Sequence, residues 1–478
     1  MIRLFLFTTI SISLLNVINC GYAEWEEVKP YCGARPNPQC CVSRDDDCFM
    51  PYYDSRCYCD TFCFRGIDNH DCCPDHDTVC EGKNATVPVT VPPKTCNCVD
   101  ASTGREYSLG ESFKRDCNLC RCITLGHQTT LSCEEDLCVN NPDLISHINS
   151  QQPYIGWAAT SYDKFNGVKV KDALKHYLGT IPDRSLRTMV DNAPHNTDDY
   201  YKMEKVDSFD VRTHPLWCGK IRGIRDQGKC GASWALSTVD VAADRLSLVQ
   251  NITIPKDLFS VQNILSCTDQ DAKQGCEGGR IAYAWGFIKD RGVVTESCYP
   301  YESGTTGNID ACKFHLSENE LNMISQHRKL KNIKCPSNAN KGEHFNFGPA
   351  YRVRDDALSI KYEIHFRGPV QATMRVPPEF FLYKSGVFRC GGSSYQNHNP
   401  RYADLAAYHS VRLLGWGVST DPSTNQPESY WIVANSWGTG WGEKGYFHVR
   451  FGSCEIEETV IATYGKSTDV LKKKNHRQ

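Results

Sequence analysis

The sequence contains 478 residues, with 53 basic and 56 acidic side chains and a formal net charge of -3 at pH 7. At roughly 150 residues per domain, this length predicts about three domains and leaves room for a sizeable core. The balanced charge gives no reason to propose a nucleic-acid-binding protein or one with a wholly acidic partner. The 27 cysteines are more informative, because so many of them after a secretory start indicate disulfides formed in an oxidising compartment.

Residues 1–23 are predicted to be a signal peptide. Arg3 precedes an apolar run over residues 4–17, and residues 21–23 supply a small-x-small cleavage site. A membrane anchor is the alternative, but the run is short, and no later stretch approaches the ~20 apolar residues of a transmembrane helix. We therefore expect a soluble, secreted protein without a membrane span, in which removal of Cys20 leaves 26 of the cysteines.

Two N-glycosylation sequons agree with secretion. They begin at Asn84 and Asn251, each two residues before a threonine. Because so short a motif also arises by chance, the support that it gives is weak.

Residues 24–86 contain ten cysteines and are predicted to form a small core held together covalently. Zinc binding is the competing interpretation for Cys57-x-Cys59 and Cys72-Cys73. Secretion and the lack of regular paired C-x-x-C spacing argue against it, so we predict no metal and no cofactor. The C-x-C-x-x-x-C run followed by adjacent cysteines resembles a somatomedin B domain, and the cysteines upstream of it leave the connectivity open.

A short linker over residues 87–94 leads to a second cysteine-rich module over residues 95–139. Its Cys117-x-x-Cys120-x-Cys122 core resembles a truncated von Willebrand factor type C module. A generic disulfide-rich spacer is the alternative. Modules of both kinds serve extracellular binding, so neither carries a catalytic prediction.

Residues 140–206 lack cysteines and contain charged, helix-permissive sequence. Trp157 and Leu178-Gly179-Thr180 are the most distinctive residues there. The segment resembles the propeptide of cathepsin B, and an ordinary helical linker is the alternative. The propeptide interpretation is favoured because Asp207-Ser-Phe-Asp210, which follows at once, looks like the start of a mature peptidase domain.

The stretch from Asp226 to Ser237 opens a predicted amphipathic helix, whose apolar residues past Ser233 recur at steps of four and three. They are Ala235, Val239, Ala242, Leu246 and Val249. Ser233 therefore lies at a helix N-terminus, where unpaired N–H groups suit a nucleophile or an anion. The stretch resembles the nucleophile segment of papain-like cysteine peptidases, Gln-Gly-x-Cys-Gly-Ser-Cys-Trp, with Ser233 in place of the nucleophilic cysteine.

Residues 207–465 resemble cathepsin B throughout, which implies a two-lobed, papain-like α+β domain preceded by the disulfide-rich modules. The resemblance assigns Gln227 to an oxyanion hole, His409 to the general base and Asn435 to the group that orients it. The alternatives are a surface glutamine in a turn and a structural histidine in a strand. Four more residues are assigned to the substrate cleft: Gly278, Gly279, Trp437 and Glu457. A solvated charge is an equally fair interpretation of Glu457.

The same resemblance implies a disulfide between Cys230 and Cys276. Ser247, however, stands where the family has the cysteine partner of Cys218. The region has nine cysteines, and the chain between the predicted signal peptide and this region has 17, both odd numbers, so one bridge between the two parts or two unpaired thiols is required. The candidates are Cys218, Cys390 and Cys454.

This order of modules, with serine for cysteine in Ala232-Ser233-Trp234-Ala235, resembles the tubulointerstitial nephritis antigen family. The resemblance implies a secreted, non-proteolytic matrix glycoprotein that engages laminin, collagen and cell-surface receptors. Without self-processing, residues 140–206 are expected to stay attached and to cover the cleft. Residues 24–139 are expected to carry the main matrix contact, and the basic tail 466–478 a minor contact to acidic polysaccharide at most. A weakly active hydrolase that uses Ser233, His409 and Asn435 is the alternative.

Overall fold

A computed structural model describes residues 31–464, apart from the following gaps: 37, 53–54, 62, 64–70, 74, 83–96, 126–127, 183–185, 187–196, 252–258, 269–274, 326–329, 338–341 and 392–404. The predicted signal peptide, the linker, Asn84 and the basic tail lie outside the described residues. The chain divides into two compact units, residues 1–115 with 119–134, and residues 116–118 with 135–478. Within the described chain no helix is both long and apolar enough for a bilayer.

The first unit consists of short elements joined by disulfides. In chain order these are β1 (Phe49–Tyr52), β2 (Ser55–Tyr58), α1 (His76–Val79), β3 (Asn97–Val99), β4 (Glu106–Ser108), β5 (Ser112–Arg115), β6 (Asn118–Leu125) and β7 (Gln128–Cys133). Strands β1 and β2 form an antiparallel hairpin, and β5, β6 and β7 form a three-stranded sheet. Buried half-cystines supply most of the core around the hairpin, as expected of a module too small for a large apolar core.

Five disulfides lie within residues 32–80, joining Cys32–Cys59, Cys40–Cys80, Cys41–Cys48, Cys57–Cys73 and Cys63–Cys72. The second module contains Cys98–Cys122, Cys117–Cys138 and Cys120–Cys133. Cys57, Cys59, Cys72 and Cys73, for which zinc binding was the competing interpretation, are therefore all in disulfides. Cys96 lies outside the described residues.

The second unit contains helices, a large sheet and a separate three-stranded sheet. Its helices are α2 (Pro142–Ile155), α3 (Val170–Ala173), α4 (Thr197–Lys202), α5 (Ser233–Gln250), α6 (Val261–Cys267), α7 (Ile281–Asp290), α8 (Ser303–Thr306), α9 (Glu318–Ser325) and α10 (Ala357–Arg367). Its strands are β8 (Trp157–Ala159), β9 (Phe209–Asp210), β10 (Val293–Val294), β11 (Lys331–Ile333), β12 (Gly342–Phe345), β13 (Tyr351–Val353), β14 (Val370–Val376), β15 (Tyr383–Phe388), β16 (Ala407–Thr420), β17 (Pro427–Ala434), β18 (Tyr446–Arg450) and β19 (Val460–Ala462).

Nine strands form the main sheet of this unit, in the order β13-β19-β14-β16-β17-β18-β15-β8, with β9 paired to β16. Strand β8 belongs to the predicted propeptide-like segment and pairs antiparallel with β15, placing Tyr383 opposite Ala159. Trp157 of β8 is buried and packs against Tyr383 and Phe388. The segment 140–206 thus contributes both a sheet strand and core side chains to the unit that contains residues 207–464.

Helix α5 is buried on all sides rather than along one stripe. Its residues are buried from Ser233 to Ser247, whereas Val249, assigned to the apolar stripe, is 40% exposed. The helix packs against α6 and α7 on one side and against β14 and β16 on the other, so its polar face is covered as well. Buried charges on that face are paired, with Asp244 bonded to Arg412 at 2.7 Å.

Arg245 is the most fully bonded of these buried charges. Its guanidinium donates to Glu363 at 2.8 Å and to the carbonyl oxygens of Pro369, Gly368 and Thr463. Arg245 is 1% exposed and Glu363 is fully buried. The bonds tie α5 to α10, to the start of β14 and to the chain after β19, so the pair joins the helices to the sheet.

Candidate functional site

Helix α5 begins at Ser233 as the sequence predicted, and the loop before it is held by a disulfide. Cys230 is bonded to Cys276, and Gly231 N donates to the Cys276 carbonyl at 2.8 Å. This fixes residues 275–279 beside the start of the helix. The backbone N–H of Ser233 belongs to the first turn, which has no intrahelical acceptors for its N–H groups.

The hydroxyl of Ser233 is buried and bonded to the segment 140–206. It donates to the Leu178 carbonyl oxygen at 2.6 Å and lies 2.9 Å from Thr180 Oγ1. It also accepts from Ser410 N at 3.3 Å. Because its one proton goes to Leu178, Thr180 is the donor in the second bond. A serine hydroxyl has one donor and two acceptor positions, so all three are used.

His409 lies on β16 and is bonded to Asn435, which follows β17. Its Nε2 is 2.8 Å from Asn435 Oδ1, and Trp437 covers the pair with a ring centroid 5.2 Å from the imidazole. The other ring nitrogen, Nδ1, has no hydrogen-bond partner of acceptable geometry among the described residues. Complete burial lowers the pKa of His409 to about 4, although Asn435 and the Leu178 carbonyl act in the opposite direction. The imidazole is therefore neutral at pH 7.

Gln227 lies close to the same cluster, but its side chain is engaged with neighbouring groups. Its Nε2 donates to the Cys230 carbonyl at 2.8 Å, and its Oε1 accepts from Ser436 Oγ at 2.6 Å. The structure thus brings Gln227, Ser233, His409 and Asn435 to one place. It does not join Ser233 to His409, since the serine proton is directed at Leu178.

Residues 178–181, which we call the strap, lie between two parts of the site. One is the pair Gly278 and Gly279, which we call the glycine wall, and the other is Tyr408 of β16. Thr180 N donates to the Tyr408 carbonyl at 3.0 Å, and Ile181 N donates to the Gly279 carbonyl at 2.8 Å. Gly279 N donates in turn to the Gly179 carbonyl at 2.9 Å. The predicted glycine wall is therefore paired with a peptide, and that peptide belongs to the chain itself.

Gly179 has a conformation and an environment that exclude a side chain. Its φ is +90°, which L side chains rarely adopt, and an added Cβ would lie 2.0 Å from the Gly231 carbonyl oxygen. Gly279 is equally crowded, since a Cβ there would lie 2.3 Å from Trp234. The first glycine lets the strap approach the loop before α5, and the second lets residues 278–279 lie against Trp234.

Two contacts outside the strap hold the same segment against the site. The indole of Trp437 donates to the Tyr177 carbonyl at 2.8 Å. Lys164 donates to the Trp437 carbonyl at 2.6 Å and lies 3.3 Å from the Asp226 carboxylate. Burial lowers the pKa of Lys164. Trp437, which is predicted to line the cleft, therefore contacts the segment 140–206 twice, through its indole N–H and through its backbone carbonyl.

The other predicted residues make no hydrogen bond to the strap among the described contacts. Glu457 accepts from the Trp431 indole at 2.8 Å and from Gly452 N at 3.0 Å, so its carboxylate has structural partners. Gly278 lies on the glycine wall, where a Cβ would be 3.1 Å from the Gly179 carbonyl oxygen. Asn251 ends helix α5 in the left-handed region and is exposed.

Of the three cysteines that sequence left open, Cys390 and Cys454 are joined to each other. Cys218 is unpaired and exposed. The region's other disulfides join Cys267 to Cys312 and Cys298 to Cys335.

Sequence reasoning missed three residues of the site. Thr180 was noted as distinctive without a contact being assigned to it, and Lys164 and Ser410 were not singled out. Ser410 follows the predicted base directly, so its backbone N–H was within reach of a sequence argument. Nothing in the sequence around Lys164 indicates a partner 62 residues away.

Comparison with known proteins places this geometry in a family. Residues 206–464 match the model of the papain family of cysteine proteases. Tubulointerstitial nephritis antigen from Bos taurus is 34% identical over 436 residues, covering 90% of this chain and 86% of that protein. Tubulointerstitial nephritis antigen-like from Homo sapiens is also 34% identical, covering 89% of this chain and 87% of that protein.

Among solved structures, proCathepsin B S9 from Trypanosoma congolense matches with a TM-score of 0.54 and 26% sequence identity, covering 68% of this chain and 98% of that one. The predicted fold class, a papain-like α+β domain after disulfide-bonded modules, is thereby confirmed. The chain belongs to the papain family and, within it, to the tubulointerstitial nephritis antigen family.

Proposed function

We propose that the protein is a secreted, non-proteolytic papain-family homologue that acts as a matrix-binding glycoprotein. One observation carries the proposal: the Ser233 hydroxyl, at the nucleophile position, is fully bonded to the chain's own strap and Ser410 N. The twelve disulfides of the described chain and its relatives suggest an extracellular protein. Residues 140–206 remain attached in this proposal and keep the cleft filled.

The chemistry of the site supports inactivity. A papain-like site keeps a thiolate beside an imidazolium, with the cysteine pKa lowered to about 3–4. Ser233 gains no such anion and needs His409 to take its proton during attack. A histidine whose pKa is about 4 is a weak base for that task. In a serine-protease triad, asparagine in place of aspartate lowers kcat by roughly 10⁴, which corresponds to about 5–6 kcal/mol of barrier.

The secreted protein should show no turnover of fluorogenic dipeptide substrates and no labelling by a fluorophosphonate. The measurement compares the wild type with Ser233→Ala, which removes the only hydroxyl at the nucleophile position. Equal, background rates for both are expected. Turnover or labelling that Ser233→Ala abolishes would establish the alternative, a slow serine hydrolase using His409 and Asn435.

The binding role is assigned to residues 24–139. Their disulfides present rigid loops, and rigidity reduces the ordering entropy lost on binding. Joined to a large inert domain, two such modules allow several weak contacts to combine through effective concentration. Laminin or collagen and cell-surface receptors are the proposed partners. The basic tail adds at most a minor contact to acidic polysaccharide, since attraction by a few charges is screened beyond about 8 Å at physiological salt.

Deleting residues 24–139 should abolish most retention on laminin and collagen surfaces. Full-length protein, this deletion and a second deletion of residues 467–478 would be compared on laminin, collagen and heparin by surface plasmon resonance. The tail deletion is the control and should change heparin retention only slightly. Undiminished retention without residues 24–139 would move binding to the peptidase-like domain.

A further inference from the structure

We propose that Ser233 is the anchor of a resident-peptide site: its hydroxyl holds residues 178–180 in the cleft, and the cleft binds this peptide instead of cleaving one. The inference rests on the proposed function and gives the serine a positive role. In this view the exchange of cysteine for serine provides a binding contact, besides removing a nucleophile.

The first argument is the completeness of the bonds. The Ser233 hydroxyl donates to Leu178 O at 2.6 Å and accepts from Thr180 Oγ1 at 2.9 Å and from Ser410 N at 3.3 Å. Both Ser233 and Thr180 are buried, at 0% and 6% exposure. Buried polar groups are stable only when they are paired, so each of these groups depends on the hydroxyl.

The second argument is that cysteine suits this position poorly. A thiol is a weak donor, and it would replace the short bond to the Leu178 carbonyl by a longer and weaker one. A thiolate would be repelled by the carbonyl oxygen, which points its negative end at residue 233. The neutral His409 would supply no compensating positive charge. A serine hydroxyl therefore fits a permanently filled cleft better than the family's cysteine.

The third argument concerns the peptide that the site selects. Its backbone must turn through the left-handed region at the glycine, where Gly179 has a φ of 90° and a ψ of 19°, and must then pair with the Gly279 carbonyl and N–H and with the Tyr408 carbonyl. The Gly179 position tolerates no side chain, because a Cβ would reach the Gly231 carbonyl oxygen. The next position needs a hydroxyl to donate to Ser233. The ligand class is thus a peptide with a glycine in the left-handed region followed by threonine or serine, which residues 178–181 supply.

Hydrogen–deuterium exchange on the full-length secreted protein tests the anchor. The readout is the exchange rate of the strap amides, which include the Thr180 and Ile181 donors, divided by the rate in helix α5. Ser233→Ala should raise this ratio about ten- to hundredfold, because it leaves the Leu178 carbonyl, the Thr180 hydroxyl and Ser410 N without their partner. Thr180→Val keeps the shape and should raise the ratio less, since only one bond is lost.

Thr373→Val is the matched control, because the Thr373 hydroxyl is buried without a partner among the described residues. It should leave the ratio unchanged. The proposal is overturned if the strap in Ser233→Ala exchanges no faster, relative to α5, than in the control. That result would leave the non-proteolytic function standing, because the function is tested separately by substrate turnover in the wild type.

Discussion

Replacing Ser233 by Cys should leave the full-length chain without measurable peptidase activity, whereas adding Gly179→Ala should make peptidase activity measurable. The single variant restores the nucleophile type and loosens the anchor, but the backbone bonds of the strap to Tyr408 and Gly279 still keep it in the cleft. The second substitution displaces the strap, because its Cβ would lie 2.0 Å from the Gly231 carbonyl oxygen at a φ of +90°. With the strap out, His409 regains water and can form an ion pair with the new thiol.

Turnover of a fluorogenic dipeptide and alkylation of Cys at position 233 by iodoacetamide would be measured at pH 6–7 in each variant. Ser233→Cys with Gly219→Ala is the matched control, since Gly219 also has a positive φ but nothing lies within 4 Å of an added Cβ. It should behave as the single variant does. A single variant as active as the Gly179→Ala combination would show that the strap does not close the cleft.

Arg245→Met should destabilise the second unit by about 3–5 kcal/mol. It removes the cation from a fully buried pair and leaves Glu363 with less positive charge nearby. It also leaves the carbonyl oxygens of Pro369, Gly368 and Thr463 without this donor. Arg367 still donates to Glu363 at 3.0 Å, which favours the lower end of the range.

Thermal unfolding of the full-length protein would measure the loss, at roughly 1–2 °C in Tm per kcal/mol for a unit of this size, since the entropy of unfolding is about 2.1 cal/mol/K per residue. Lys313→Met is the control, because Lys313 pairs with Asp310 on the surface, where such a pair contributes about 0–1 kcal/mol. Combining Arg245→Met with Glu363→Leu should recover part of the loss, since no lone buried charge remains. A Tm for Arg245→Met equal to that of the control would contradict this account.

Local patterns in the sequence were sufficient for the start of the nucleophile helix, whereas the other site residues were assigned from the resemblance to cathepsin B. The spacing of apolar residues placed a helix start at Ser233, and α5 begins there. His409 lies on a strand as expected, although β16 continues through its glycines to Thr420. The predicted apolar stripe accounts for only part of the buried surface of α5. The sheet covers the opposite side of the helix as well, and the charged side chains of α5 are paired there.

Contacts between distant parts of the chain could not be predicted in the same way. Thr180 and Ser233 are 53 residues apart, and nothing in either neighbourhood encodes their bond. The parity of the cysteines required either one bridge between the two parts or two unpaired thiols, but only the fold decides that Cys390 meets Cys454 and that Cys218 does not pair. Glu457 matched a cleft glutamate by position, yet its carboxylate is bonded to Trp431.

Strand β8 gives the segment 140–206 a further role, which is to protect an edge of the main sheet. It covers the outer edge of β15, whose backbone groups would otherwise be open to pairing with another chain. Bare edges of this kind promote aggregation, and Trp157 would leave an apolar hollow beside Tyr383 and Phe388. A segment that proteases remove can protect the sheet edge only until it is cleaved. Under the function proposed above the same segment stays attached and protects the sheet, so we expect that trimming it would favour self-association.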